Sequence, residues 1–396
     1  MDVQKIDCLE EVVSLDPQCT ILGHKVRRLT APGENYGSLM LSVDITVKTL
    51  EGTSEINAVA KMVPPNEFIQ KIFNTPVTFR NEIAFYKDIV PTLRNFQQEQ
   101  GMPTLIDFFP KYLGSRLNRN NSDTVDSDAI LLLENLKMAG FVNLDRTIGF
   151  DLDVSKVIVK DLAHLHAVPL GLKIKKPEIF EKNIKKHLTP FNPPDDDGQT
   201  EEKMCDLIRA LNSPYYERAK TILAKPRVWA TTPQEPFATL IHNDYWVNNT
   251  MVKIEPGKPT KNKMVDFQVY GYGSPAKDLI FFLFSSVQND IIKNECDNLI
   301  KLYHDTFIDV LKQLKCDTKP FSFENFEKEL KLEAANSQFG HIVFMCTPIF
   351  APKGSVKELN EFSPDTFIKM MDTFCSDLHK KKLELIVTEF AKRNWI

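Results

Sequence analysis

Residues 239–252, TLIHNDYWVNNTMV, set a histidine, an aspartate, a tryptophan and three asparagines between two short apolar runs. A loop that only joined two strands would more often be built from Gly, Pro or Ser. The pattern His242-x-Asp244-x-x-x-x-Asn249 suits phosphoryl transfer. A carboxylate can take the proton of an attacking hydroxyl, and an amide oxygen five residues on can reach a divalent ion on the phosphates. The same residue types also occur in an ordinary polar turn, so this spacing alone leaves both readings open.

Further residues add to the pattern. Asp266 ends the apolar run KMVDFQ, seventeen residues after Asn249, where a second Mg2+ ligand would belong; by itself it reads equally as a strand-ending aspartate. Lys61 lies inside the strand-like INAVAKMV and Glu82 beside the apolar face of TFRNEIAFYKDIV. Each would be costly to bury alone, so a Lys61–Glu82 pair that grips nucleotide phosphates is expected; two solvated surface charges are the alternative. Gly33, Gly37 and Ser38 in PGENYGS could lay backbone N–H groups on phosphate, or simply make a turn.

Other candidates read as support. Asp278 opens an apolar helix and either braces the catalytic loop or only starts the helix. His164 and His166 sit two apart and point to different helix faces, which suits core or hinge roles rather than one metal. Trp246 reads as a packing anchor. The phenylalanines at 281, 282, 284, 339, 344 and 350 could line an apolar acceptor cavity, with core packing the expected role of most.

These residues need elements to hold them. HKVRRLTAPGENYGSLMLSVDITVKT gives two strands around a turn at Pro32 to Ser38, the second alternating at Leu39, Leu41, Val43, Ile45 and Val47. A helical stretch precedes them. TFRNEIAFYKDIV is a helix with Phe79, Ile83, Tyr86 and Val90 on one face. FPKYLGSRL and DAILLLENL form a hairpin around a polar, mobile loop, Asn118 to Asp128. DVSKVIVKDLAHLHAV, Asn294 to Leu314, Phe323 to Phe344 and Thr366 to Phe390 have helical spacing, and NPPDDDGQTEEK is a loop. The expected organisation is therefore two lobes: residues 1–136, β-rich, and residues 137–396, helical.

Composition narrows the function classes. A chain of 396 residues with 42 % hydrophobic and 26 % charged content can bury more than one core. A net charge of −4 with scattered lysines argues against nucleic-acid binding. The acidic N-terminus and the lack of a long apolar run predict neither signal peptide nor membrane span. Seven cysteines without metal or disulfide spacing fit reduced thiols, hence a cytoplasmic protein. Oligomeric state has no signal.

In order, GENYGS, FRNEIAFY, LLLENL, LAHLHA, HNDYWVNN and VDFQ resemble the blocks of the insect ecdysteroid kinase-like family, relatives of choline kinase and the aminoglycoside phosphotransferases. The resemblance spans nearly the whole chain. It implies a bilobal, α+β, protein-kinase-like fold and an ATP- and Mg2+-dependent transfer to a hydroxyl of a small molecule, an ecdysteroid or a xenobiotic. By that resemblance Asp244 is the base, Asn249 and Asp266 are the metal ligands, Lys61 with Glu82 binds ATP phosphates, and the backbone of Glu134 to Leu136 holds adenine. His242 and Asp278 support the loop. Asn243 stands where the family has glycine, and Asn tolerates the left-handed backbone that such a turn needs. Gln268 and the lack of an APE block set the chain apart from protein kinases. An idle hormone carrier, or a choline- or amine-type kinase, are the alternative functions.

Overall fold

A computed structural model describes residues 5–15, 18–29, 38–120, 122–188, 198–225, 233–352, 369 and 371–396. The architecture is α+β, with a β-sheet in the N-terminal part and a helical remainder. Two compact units form, one built on Met1–Lys87 and Phe109–Val142, the other on Asp88–Phe108, Asn143–Pro352 and Ser363–Ile396.

The first unit is a five-stranded antiparallel sheet. Its strands are β1 (Thr20–Arg28), β2 (Leu39–Thr49), β3 (Gly52–Met62), β4 (Tyr112–Arg116) and β5 (Ile130–Glu134), in the spatial order β1-β2-β3-β5-β4. In β2, Leu41, Val43, Ile45 and Val47 share one face of the pleat and are buried with Ala58, Ala60, Ile130 and Leu132. Ile6, Leu9 and Val12 cover the same core. The helix expected at the start is only a single turn, Leu9–Glu11, among the described residues. Val13 then bridges to Gly114, and that extended backbone ends the turn. The loop after β4 is knitted rather than loose. Asn118, buried, donates to the carbonyls of Ser122 and Thr124 and to the Ser122 hydroxyl.

Helices α1 (Glu67–Ile72) and α2 (Thr75–Ala84) follow β3. Phe79, Ile83, Tyr86 and Val90 are buried, as their spacing implies. The helix widens into a π segment over Phe85–Ile89 before α3 (Val90–Glu99). Pro91 has no N–H to offer the carbonyl one turn back, which favours the wider turn.

The second unit is helical. Its centre is α4 (Leu152–Lys175), capped by the Asp151 carboxylate on the Val154 N–H at 2.9 Å. It carries on through α5 (Pro177–Asn183), α6 (Gln199–Ala210) and α7 (Tyr216–Leu223). Helix α6 takes over the QTEEK part, residues 199–203, of the stretch expected to be a loop. Glu201 and Glu202 lie in its first turn, where carboxylates favour a helix start.

Two short ladders follow: β6 (Thr239–Ile241) with β9 (Gly271–Gly273), and the hairpin β7 (Thr250–Lys253) with β8 (Lys261–Met264). Helix α8 (Pro275–Ser286) is buried at all twelve positions, Lys277 and Asp278 included. Then come α9 (Asn289–Gln313), α10 (Phe323–Glu333), a π segment Ala334–Gln338, α11 (Phe339–Phe350) and a C-terminal helix, Asp377–Lys392. Among the described residues no helix is long and apolar enough to cross a membrane.

Candidate active site

Strand β6 delivers the chain into His242–Asn249, and β7 takes it away. Asn243 has φ 67°, in the left-handed region, which reverses the chain in one residue. Its side chain donates to the Val269 carbonyl at 3.3 Å. His242 is fully buried between the rings of Tyr245 and Phe267. Burial holds its imidazole below the usual histidine range against the pull of Asp278. A neutral ring has one N–H; Nε2 donates it to the Val265 carbonyl at 3.0 Å, so Nδ1 accepts the Asp244 backbone N–H at 3.3 Å. His242 therefore ties the loop to the backbone between β8 and Asp266.

The loop is held from beneath by Asp278, on the first turn of α8. Its Oδ2 accepts the His242 N–H at 2.6 Å and its Oδ1 the Asn243 N–H at 2.8 Å. His166, on α4, donates Nε2–H to the same Oδ2 at 3.0 Å. Its other nitrogen accepts the Tyr303 hydroxyl of α9 at 2.6 Å. Burial pushes the Tyr303 phenol well above its ordinary range, so it stays a donor. For Asp278, burial acts to raise the carboxyl, but His166 and His242 outweigh it and hold it below the usual carboxylate range. Three helices thus fix one turn of main chain.

Asn249 closes the loop. Its amide nitrogen donates to the Asp244 carbonyl at 2.8 Å and to the Asp244 carboxylate at 2.9 Å. The hairpin sets where Asp266 falls: Thr250 pairs with Met264, and the Val265 N–H bonds the Asn249 carbonyl at 3.1 Å. Asp266 is the next residue, at φ 67°. The interval of seventeen residues is thus the length of a hairpin with its turn. Asn143 steadies the loop's exit by donating to the carbonyls of Asn248 and Thr250.

The Asp244 carboxyl is raised well above its ordinary range, first by burial and then by the charge of Asp266, while Asn249 and Trp246 pull it down. An acid raised by its neighbour's negative charge marks a place where a cation would be welcome. The donor set fits Mg2+. With its nitrogen committed to Asp244, Asn249 has Oδ1 left to offer, and Asp266 adds a carboxylate. Hard oxygen donors, few from protein and the rest from phosphate, are what this ion takes. Among the described residues no three His, Cys, Asp or Glu side chains form a ready-made metal cage.

In the first unit, Lys61 of β3 and Glu82 of α2 meet at 2.5 Å, with side chains 7 % and 2 % exposed. At the end of β5, the Glu134 carboxylate accepts the Lys111 N–H at 3.1 Å. The Leu136 carbonyl takes the N–H groups of Ala139 and Phe141. Ser38 is buried just before β2. Gly33 and Gly37 lie outside the described residues.

Phe281, Phe282, Phe284, Phe339 and Phe350 are buried core, with rings packed on one another's neighbours such as Phe150, Phe390 and Trp395. His166 and Tyr303 were not legible as loop supports. They lie 112 and 25 positions from Asp278, on helices whose periodicity marks them only as core.

A model of the ecdysteroid kinase-like family matches residues 32–316. A search of curated proteins finds no match. Among solved structures, the chain is similar to an ethanolamine kinase of Plasmodium vivax, at 12% identity, a TM-score of 0.41, and coverage of 94% of this chain and 83% of that one. It is similar to a choline kinase from Cryptosporidium parvum Iowa II at 10% identity, a TM-score of 0.42, and coverage of 94% and 91%. A GDP and kanamycin complex of the phosphotransferase APH(2")-IIIa matches at 11% identity, a TM-score of 0.37, and coverage of 75% and 93%.

Proposed function

The chain belongs to the ecdysteroid kinase-like family, and from that premise we propose that it is an ATP-dependent kinase acting on a hydroxyl of a small lipophilic molecule. One observation carries the reading. Asn249 clamps Asp244 through its amide nitrogen, in the loop that the β7–β8 register holds beside Asp266. A base and two oxygen ligands in one loop and hairpin serve chemistry, and a mere carrier has no need of them.

In the proposed reaction Asp244 orients the acceptor O–H and takes its proton as the oxygen bonds to the γ-phosphorus. The bond from that phosphorus to the bridging oxygen breaks, and ADP leaves. Asn249 and Asp266 would hold Mg2+, which neutralises charge on the phosphate oxygens. Lys61, kept in place by Glu82, would bind nucleotide phosphates, with Gly33, Gly37 and Ser38 lending backbone N–H groups. The main chain from Glu134 to Leu136 would hold adenine; the Leu136 carbonyl is committed to its own turn, so the N–H is that residue's contribution. Positioning and charge neutralisation supply most of the rate.

The acceptor class we propose is hydroxylated and lipophilic, an ecdysteroid or a xenobiotic. All seven cysteines are free, which suits a reducing compartment, so the cytoplasm is the proposed location. Incubation with Mg-ATP and a panel of hydroxylated compounds, followed by mass spectrometry, should reveal the gain of one phosphate. No phosphorylated product, together with no Mg-ATP-dependent rise in melting temperature, would contradict the reading.

A further inference from the structure

Tyr245 follows the proposed base Asp244, and its fully buried ring packs against His242 and against Phe282 of α8. Its hydroxyl is held from outside the loop. Asn262 of β8, 5 % exposed, gives one amide hydrogen to the Tyr245 oxygen at 3.2 Å. It gives another to the Asp161 carboxylate of α4 at 3.1 Å. One side-chain NH2 thus joins a helix, the catalytic loop and the strand that leads toward Asp266.

The arrangement is not optimal for stability. Asn262 Oδ1 is buried and has no hydrogen-bond partner among the described residues, which destabilises the fold. What Asn262 contributes is its nitrogen, whose two hydrogens meet two acceptors. An ionised aspartate in its place has none to give, and a serine only one.

A bridge of this kind depends on the charge at its far end. An ionised Asp161 accepts a charge-assisted bond, which fixes the amide with its nitrogen toward Tyr245. A protonated Asp161 accepts weakly, and its own O–H competes for Oδ1, the amide atom that lacks a partner. Burial raises this carboxyl to about 7, against the pull of Asn262, of Lys263 on β8 and of Lys160 on α4. The Tyr245 phenol, which feels Asp161 from the loop, is held well above its ordinary range by burial and keeps its proton.

We propose that Asp161 is a positioning residue for the reaction: when ionised it holds Tyr245 through Asn262, and with it the backbone of Asp244, and when protonated it loosens that hold. The effect on rate rests on the kinase reading; the link from Asp161 to Tyr245 does not. His166, five residues further along α4, supports the same loop through Asp278. One helix therefore carries both a lasting support and a proton-sensitive one.

NMR of the full chain with carbon-13-labelled tyrosine reports the link, the Tyr245 signal being the one missing from Tyr245→Phe. In wild type that signal should shift with pH around a midpoint of about 7. It should not do so in Asp161→Asn or in Asn262→Ser. Release of ADP from Mg-ATP, with water as acceptor, reports the effect on rate. Asp161→Asn should be about tenfold slower than wild type at about pH 8 and equal to it at about pH 6, with KM for ATP unchanged. A residue that served stability alone would not slow turnover, since removing its buried charge should make the variant melt higher at the same pH. A wild-type Tyr245 signal that ignores pH, or one that moves equally in Asp161→Asn, overturns the proposal, as does a rate ratio that is the same at both pH values. No ADP from any of the proteins contradicts the kinase reading, and with it the effect on rate, while the Tyr245 signals decide the link on their own.

Discussion

Glu82 and Asp278 are buried carboxylates, 2 % and 1 % exposed, and the two units satisfy them differently. Glu82 answers the side chain of Lys61, across one strand and one helix. Asp278 answers two backbone N–H groups and His166, which in turn leans on Tyr303. A side-chain partner can be substituted together with its mate. Backbone partners remain whatever replaces the acid. The sheet unit therefore holds an exchangeable pair, and the helical unit holds a brace that only a carboxylate can make.

The largest effect should come from Asp278→Ala. It orphans two buried N–H groups and the His166 N–H, a loss of about 3–6 kcal/mol at 1–3 for each unsatisfied group with partial relaxation. Turnover should fall with stability, and no apolar second-site change should restore either. Chemical denaturation and steady-state rates measure both; a variant as stable as wild type would remove the brace from the account.

Lys61→Ala should cost about 3–5 kcal/mol by taking the ammonium away from the buried Glu82 carboxylate. The double replacement Lys61→Met with Glu82→Leu should recover stability to within about 1 kcal/mol of wild type, while Mg-ATP no longer raises its melting temperature. If the double variant is no more stable than the single one, the contrast between pair and brace is lost.

Asp244→Asn separates chemistry from scaffold. Its turnover should drop by about 10²–10⁴-fold, the usual share of a general base, with folding and the Mg-ATP melting shift retained. Near-normal turnover would take the proton-accepting role away from Asp244.

The smallest effect is in pH. Asp161 of α4 accepts from Asn262 of β8 at 3.1 Å, and burial pushes its carboxyl up to about 7. A raised acid stabilises the fold below its unfolded value, about 3.9, and that contribution is lost as pH climbs toward 7. Asp161→Asn keeps the acceptor without the charge. It should melt higher than wild type at pH 8, with the gap closing toward pH 5. Asp278, held low, works the other way: its contribution is full above about 3.9 and lost as pH falls through its lower folded value. A constant gap across pH would place the Asp161 carboxyl in an ordinary environment.

Much of this was legible because the signals were local. The period-two alternation of β2, the buried face of α2, and a lysine and a glutamate each needing a partner all sit within short windows. So do the loop His242 to Asn249 and the hairpin that returns to Asp266. The brace was not legible, because His166, Tyr303 and Asp278 come from three helices whose apolar periodicity marks them as core and says nothing of direction. Asp278 could be read as brace or as helix start, and only its distances to His242 and Asn243 decide. The charge of QTEEK suggested a loop, whereas its glutamates favour the start of α6. The even spacing from Phe323 to Phe344 hid the π segment at Ala334–Gln338.

The claim that Asn249 and Asp266 hold a divalent ion beside Asp244 is tested most directly by ATP affinity with and without Mg2+. Calorimetry on wild type should show Mg2+ tightening ATP binding, and Asp266→Ala should abolish that gain while leaving the metal-free affinity about the same. An equal Mg2+ benefit in both proteins would contradict the account.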